Sequence, residues 1–289
     1  MNLITCGLVL NYRDPKRTGQ CIESLLAEGI HHILVWDNSA DDGHSAKILA
    51  KRWRHDSRIT LYESPTNLGF AAGVNRGIEW LQTHHPSARI LLINNDARLL
   101  PGAVRLLNSA LDQHPQAALA YPAIDHNGIV RGTAYYQKHL GLLTFHKPLP
   151  YSFSYPSGCA LLIAPQRITP PLFDEDFFMY GEDWLLGWRL GPERQTFVPD
   201  VLVQHEGTAS SGVGSKFYET HIVAGHWILA DKLARNPTER LLFKAGRWLS
   251  LTARATVRAV RHRSLIPFQA LIEGQRLAKQ KITDSDVVA

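Results

Sequence analysis

The feature that most limits the fold is a rhythm in the first 125 residues, where short β-branched runs alternate with amphipathic stretches of helical length. Parallel strands need a crossover between them, so this alternation implies an α/β domain around a largely parallel sheet. Strands are expected over 5–10, 32–36, 59–62, 89–93 and 118–121, with helices over 17–27, 45–54, 71–83 and 102–113. Beyond 127 the pattern loosens, and 127–156 reads as a hairpin and loop lining a cleft. A strand at 159–164, a helix at 182–190 and two strands at 196–199 and 201–204 follow. The run of small residues over 206–215 then reads as a mobile loop.

With 45% of 289 residues hydrophobic and 20% charged, the chain can bury a core without disulfides or a structural metal. Cys6, Cys21 and Cys159 are widely spaced and form no C-x-x-C pair, which fits a reducing cytoplasm. The first ten residues lack a basic region and a cleavage site, so they read as a strand and not a signal peptide. No run approaches the ~20 apolar residues of a membrane span.

Charge is unevenly placed. Residues 239–289 hold ten Lys and Arg against four acids, whereas the remaining 238 hold 21 against 22. The chain is therefore divided into a domain over 1–235 and a basic amphipathic helical extension over 236–289. On a helical wheel Arg240, Lys244, Arg247, Arg254, Arg258 and Arg261 share an arc of about 100°. Leu242, Leu249, Ala253 and Val260 take the other side, with Trp248 near the boundary. Such a stripe over 240–263 suits an anionic membrane surface, placing the protein peripherally at the inner face of the cytoplasmic membrane. The competing reading packs the apolar side on the domain and leaves the cations in water. Nucleic acid is not expected, because the rest of the chain is not basic and carries no nucleic-acid motif.

Six segments could carry chemistry. Asn11 and Tyr12 follow the first strand, and ligands of open α/β sheets sit outside such carboxyl ends. Asp37 ends the second strand, where a carboxylate can accept N–H bonds from a base. Asp41 and Asp42, further on, suit a turn. The glycines of 67–77 allow close backbone approach where a helix N-terminus offers free donors. Asn94, Asn95 and Asp96 close an apolar strand, and a carboxylate there can hold a divalent cation. Glu182 and Asp183 open a helix after Gly181, where a carboxylate facing a pocket could act as general base, although helix-dipole complementarity also favours acids there. His205 ends a strand before the small-residue run.

In order along the chain, V-L-N-Y, V-W-D-N-S, N-L-G-F-A-A-G-V-N-R-G, N-N-D-A, S-G-C-A-L-L-I, F-D-E-D-F-F-M-Y-G-E-D and H-E-G-T-A-S resemble the family 2 glycosyltransferases, most closely the bacterial rhamnosyltransferase-like branch. The resemblance covers roughly residues 4–230. It implies the GT-A fold, a Rossmann-like nucleotide-binding mixed sheet flanked by helices. It further implies that Asn11, Asp37 and Asn67 contact the nucleotide while Gly69 and Gly73 shape its pocket. Tyr12, Asn38, Asn75 and Asn95 complete the donor site, with Ser157 and Gly158 beside the sugars. Asp96 takes the last position of the family's D-x-D metal motif, with His205 as second candidate ligand for Mg²⁺ or Mn²⁺. Asp183 takes the place of the base, and Glu182 supports it or binds acceptor.

The chain departs from the family pattern at Asn94, where the first metal-motif acid is missing, and at Leu185, where E-D-x-D loses its last acid. The implied activity is inverting transfer from a nucleotide-diphosphate sugar, with dTDP-rhamnose as best candidate, to a saccharide or lipid-linked acceptor in surface polysaccharide synthesis. A non-catalytic nucleotide-sugar-binding protein of the same fold is the alternative.

Overall fold

The computed structural model describes residues 4–207 and 214–288, with side chains to 282. The middle of the expected loop, 208–213, thus lies outside the described residues. The contacts divide the chain into two compact units. One comprises Met1–Thr133, Pro156–Phe173 and Leu190–Ser210; the other comprises Ala134–Tyr155, Asp174–Arg189 and Ser211–Ala289.

The first unit is built on a sheet of nine described strands: β1 (Thr5–Asn11), β2 (His32–Asp37), β3 (Ile59–Glu63), β4 (Arg89–Asn94), β5 (Ala97–Leu99), β6 (Leu119–His126), β7 (Ile129–Arg131), β11 (Ala160–Ile163) and β12 (Gln195–His205). The order is β3-β2-β1-β4-β11-β6-β12-β5, with β7 on β6. The first four strands run parallel, and β11 inserts antiparallel between β4 and β6. Such near-continuous apolar runs as those of β1 and β4 suit strands covered on both faces. Helices α1 (Pro15–Ala27), α2 (His44–Trp53), α3 (Phe70–His84) and α4 (Ala103–Gln113) fall within a residue or two of expectation. Asp14 caps α1 by accepting from the Arg17 N–H, and Pro15 occupies the first turn, where its missing donor costs nothing.

Where two strands were expected at 196–199 and 201–204, a single strand, β12, runs through both. Pro199 has no donor for the ladder, and the pairing with β6 shifts register between Val198 and Val201 instead of ending. The three cysteines are free and buried. Burial pushes the Cys6 thiol up to about 11 and the Cys21 thiol higher still.

The second unit holds a three-stranded antiparallel sheet of β8 (Ala134–Gln137), β9 (Leu142–Thr144) and β10 (Ser152–Tyr155), where a hairpin and loop were expected. It also holds α5 (Glu182–Leu190), α6 (Lys216–Leu233), α7 (Pro237–His262) and α8 (Ile266–Val288). Its core gathers Tyr136, Trp184, Trp227 and Leu229 with Phe243 and Leu251.

The structure reverses the expected orientation of α7. Arg254 Nη1 and Arg258 Nε each donate at 2.7 Å to the fully buried Glu219 of α6. Arg240 and Lys244 reach Asp231 at 3.2 and 2.9 Å. Arg247 is 0% exposed, donates to the His139 carbonyl at 2.8 Å and lies over the Tyr136 ring. Leu242, Leu249 and Val260, expected on the packed side, are exposed instead, as is Ala253. The middle of the cationic stripe, Arg247, Arg254 and Arg258, turns inward while Arg240 and Arg261 stay exposed; α6, buried on most of its surface, carries two carboxylates that need counter-ions.

Candidate active site

In register, Asn11 of β1 lies beside Asp37 of β2, and Leu10 lies beside Asn94 of β4. The polar strand ends therefore form one row at the carboxyl edge of the parallel strands, where the order turns from β1 to β4. Asp37, 1% exposed, uses one oxygen fully: Oδ1 accepts from Asn11 Nδ2 at 2.8 Å, from the Ser39 N–H at 3.1 Å and from Ser39 Oγ at 2.5 Å. Its Oδ2 is buried without a hydrogen-bond partner, an acceptor that a ligand N–H would satisfy. Asn11 itself is committed, since its Oδ1 accepts from Thr18 Oγ1 at 2.6 Å, so its contribution is to orient Asp37. Tyr12 is half-buried beside Arg13, whose N–H donates to Ser39 Oγ at 2.8 Å.

Asn38 and Asn67 shape the turn into α3. Asn38 Nδ2 donates to Asn67 Oδ1 at 3.0 Å and to the Gly69 carbonyl at 2.9 Å, while its Oδ1 accepts from the Leu68 N–H at 3.1 Å. Gly69 adopts φ +81°, a left-handed value that a side chain would strain. At Gly73 a Cβ would come within 2.9 Å of Leu10 Cδ1, so α3 lies close against β1. Asn75 is 2% exposed, and its amide both donates to and accepts from the Phe173 backbone, at 2.8 and 3.0 Å. It braces that segment from within.

Asp96, just past β4, meets His205 at the end of β12: Asp96 Oδ1 and His205 Nε2 are 3.0 Å apart, though 109 residues separate them. Burial disfavours the charged imidazole, but the Asp96 and Cys159 bonds outweigh it and raise the His205 pKa to about 10. His205 Nδ1 faces His126 Nδ1 at 3.1 Å, and burial with the neighbouring His205 lowers His126 to about 4. Asn95 Nδ2 donates to Thr18 Oγ1 at 3.1 Å. Asn94 Oδ1 is buried without a partner. Ser157 is half-buried and its Oγ accepts from the Cys159 N–H, while Gly158 is buried.

Among the described residues no three His, Cys, Asp or Glu side chains gather into a metal cage. A carboxylate and an imidazole in contact nevertheless fit a hard or borderline cation, which would displace the proton that Asp96 favours on His205 and take its other ligands from diphosphate and water. Sequence reasoning missed Thr18, Ser39 and His126. Ser39 closes the V-W-D-N-S run and His126 ends a strand, as His205 does, and those were the available signals.

In the second unit Gly181, at φ +106°, turns the chain into α5. Glu182 is 6% exposed with Oε2 unpartnered, whereas Asp183 is only half-buried. Burial, reinforced by the Asp183 charge, pushes Glu182 well above the usual carboxylate range. The fold therefore binds a proton that the unfolded chain releases near its ordinary value, and this contribution to stability falls as pH rises above that value. Glu182→Gln should melt at the same temperature as the parent near pH 4 (about the unperturbed value) and higher than the parent near pH 9, as scanning calorimetry would show. Equal melting of the two at the higher pH would contradict the assigned burial cost.

The family model described as "Glycosyl transferase family 2" matches residues 8–164, more than half of the chain, and the chain belongs to that family. The N-acetylglucosaminyl-diphospho-decaprenol L-rhamnosyltransferase of Mycobacterium tuberculosis, from strains CDC 1551 / Oshkosh and ATCC 25618 / H37Rv, is 26% identical over 87% of this chain and 92% of its own. Among solved structures, GalNAc-T7 with UDP, GalNAc and Mn²⁺ superposes with a TM-score of 0.60 at 13% identity, covering 84% of this chain and 54% of that one, so the chain spans just over half of that protein. The Pyrobaculum calidifontis mannosyltransferase PcManGT, in complex with GDP-Man and Mn²⁺, gives 0.54 at 14% identity, covering 96% and 82%. The fold is GT-A, and within family 2 the chain is similar to a rhamnosyltransferase.

Proposed function

We propose that the protein moves L-rhamnose from dTDP-rhamnose, with inversion, to a hydroxyl of a saccharide or lipid-linked acceptor in bacterial surface polysaccharide synthesis. The name of the Mycobacterium tuberculosis relatives specifies L-rhamnose as the sugar they transfer and a decaprenol-linked acceptor, which supports this reading. The observation that carries the reading is the meeting of Asp96 and His205 at the strand ends, beside a row that includes Asp37 with its spare oxygen.

In this reading Asp37 Oδ2 accepts an N–H of the base, held in place by Asn11 and Ser39. The turn held by Asn38, Asn67 and Gly69 presents the N-terminus of α3 to the diphosphate, with Gly73 allowing the close approach and Asn75 bracing the helix. Asp96 and His205 would hold Mg²⁺ or Mn²⁺, which when bound supplies positive charge for the departing diphosphate. Asn95 steadies this edge through Thr18, while Tyr12, Ser157 and Gly158 border the donor. Asp183 takes the proton of the acceptor hydroxyl as its oxygen bonds to the anomeric carbon. The bond from that carbon to the diphosphate oxygen breaks, and its electron pair leaves with the nucleotide. A single displacement inverts the anomeric centre.

Thermal shift with a panel of nucleotide sugars tests the donor site. At a hundredfold excess over Kd a ligand adds about 2.7 kcal/mol of stability. dTDP-rhamnose should raise the melting temperature most, more so with Mn²⁺, and Asp96→Ala should remove the Mn²⁺ increment. Stabilisation by a different nucleotide alone would overturn the donor, and binding without turnover over a broad acceptor panel would overturn the transferase reading.

A further inference from the structure

The orientation of α7 leaves an outer face without charge. Leu241, Leu242, Trp248, Leu249, Val257 and Val260 are each 52–75% exposed. The other exposed positions between 241 and 260 are Ala245, Thr252, Ala253 and Thr256. Of the ionisable residues of this stretch, Arg247, Arg254 and Arg258 turn inward and the partly exposed Lys244 pairs with Asp231. Leu265, in the turn to α8, and Ile272 on α8 are exposed as well. A soluble surface rarely leaves so many large apolar side chains together, and such a patch marks an interaction site.

What covers it follows from the charges around it. Among the described residues from 235 to 282, the exposed Lys, Arg, Asp and Glu are all cationic: Arg235, Arg240, Arg261, Arg263, Arg276 and Lys279. The two acids of this stretch are partly buried, Glu239 accepting from the Arg235 N–H and Glu273 pairing with Lys216. A second copy docked by two-fold symmetry would set this cationic rim against itself. An anionic bilayer offers the complement to both parts, acyl chains for the uncharged face and headgroups for the rim, with Trp248 suited to the boundary.

We infer that the outer face of α7 is a membrane-docking surface that enters the interface of an anionic bilayer by its apolar side, with the exposed cations named above at the headgroups. No helix among the described residues is long and apolar enough to cross a membrane, so the contact is interfacial. The inference concerns binding alone and does not depend on the donor or acceptor.

The test is flotation of the full chain with vesicles of phosphatidylethanolamine containing about a quarter phosphatidylglycerol, against vesicles of phosphatidylcholine. The parent should float with the first set and not the second. A Leu242→Ser, Leu249→Ser, Val260→Ser variant should bind at least about tenfold more weakly at unchanged melting temperature, since these side chains are exposed. Bromine-labelled acyl chains should quench the parent's fluorescence more than that of Trp248→Phe. Equal binding of parent and triple variant, or equal binding to both vesicle types, overturns the inference. So does a parent that ignores vesicles and instead forms a dimer that the triple variant abolishes.

Discussion

Asp183→Asn is expected to lower sugar transfer by ~10² to 10⁴-fold while nucleotide-sugar binding and melting temperature stay close to the parent's. The contrast within α5 motivates the choice. Glu182 is buried, which favours its neutral form, whereas Asp183 next to it is only half-buried. Asparagine keeps the shape and removes the basic oxygen. Steady-state transfer measured alongside calorimetric donor binding separates loss of the base from loss of fold. Full transfer by the variant would remove Asp183 from the mechanism.

The largest expected effect on stability comes from Glu219→Gln, at about 3–5 kcal/mol in denaturant unfolding. Glu219 is 0% exposed and both its oxygens are taken by guanidinium groups, Oε2 by Arg254 and Oε1 by Arg258. The arginine side chains are themselves 27% and 17% exposed, so water cannot fully replace the carboxylate. Removing one partner of such a cluster strands the others. Removing all of the charges does not, and adding Arg254→Met and Arg258→Met to the glutamine variant should restore much of the loss. A loss under about 1 kcal/mol would place the cluster with ordinary surface pairs.

The first unit was legible because its signals are local. Strands β1, β2 and β4 are short apolar runs that stop at polar residues, and the structure places those stops side by side. The meeting of Asp96 with His205 followed from family resemblance and not from spacing, since 109 residues separate them. What stayed hidden depended on distant partners. A helical wheel divides α7 into two faces but does not say which face finds carboxylates, and Glu219 and Asp231 lie on another helix. Strand β5 is three residues long, too short to show a period. Asn11 and Asn75 have side chains suited to a ligand, yet their amides bond within the protein, to Asp37 and Thr18 and to the Phe173 backbone. Amide chemistry alone cannot tell an internal brace from a contact.

The buried thiols have a practical consequence. Cys6, Cys21 and Cys159 are at most 4% exposed, and thiol reagents act on accessible thiolate. A cysteine introduced at an exposed position would be the readily labelled one against a silent background, so spin labels or fluorophores could be installed without first stripping the native sulfhydryls.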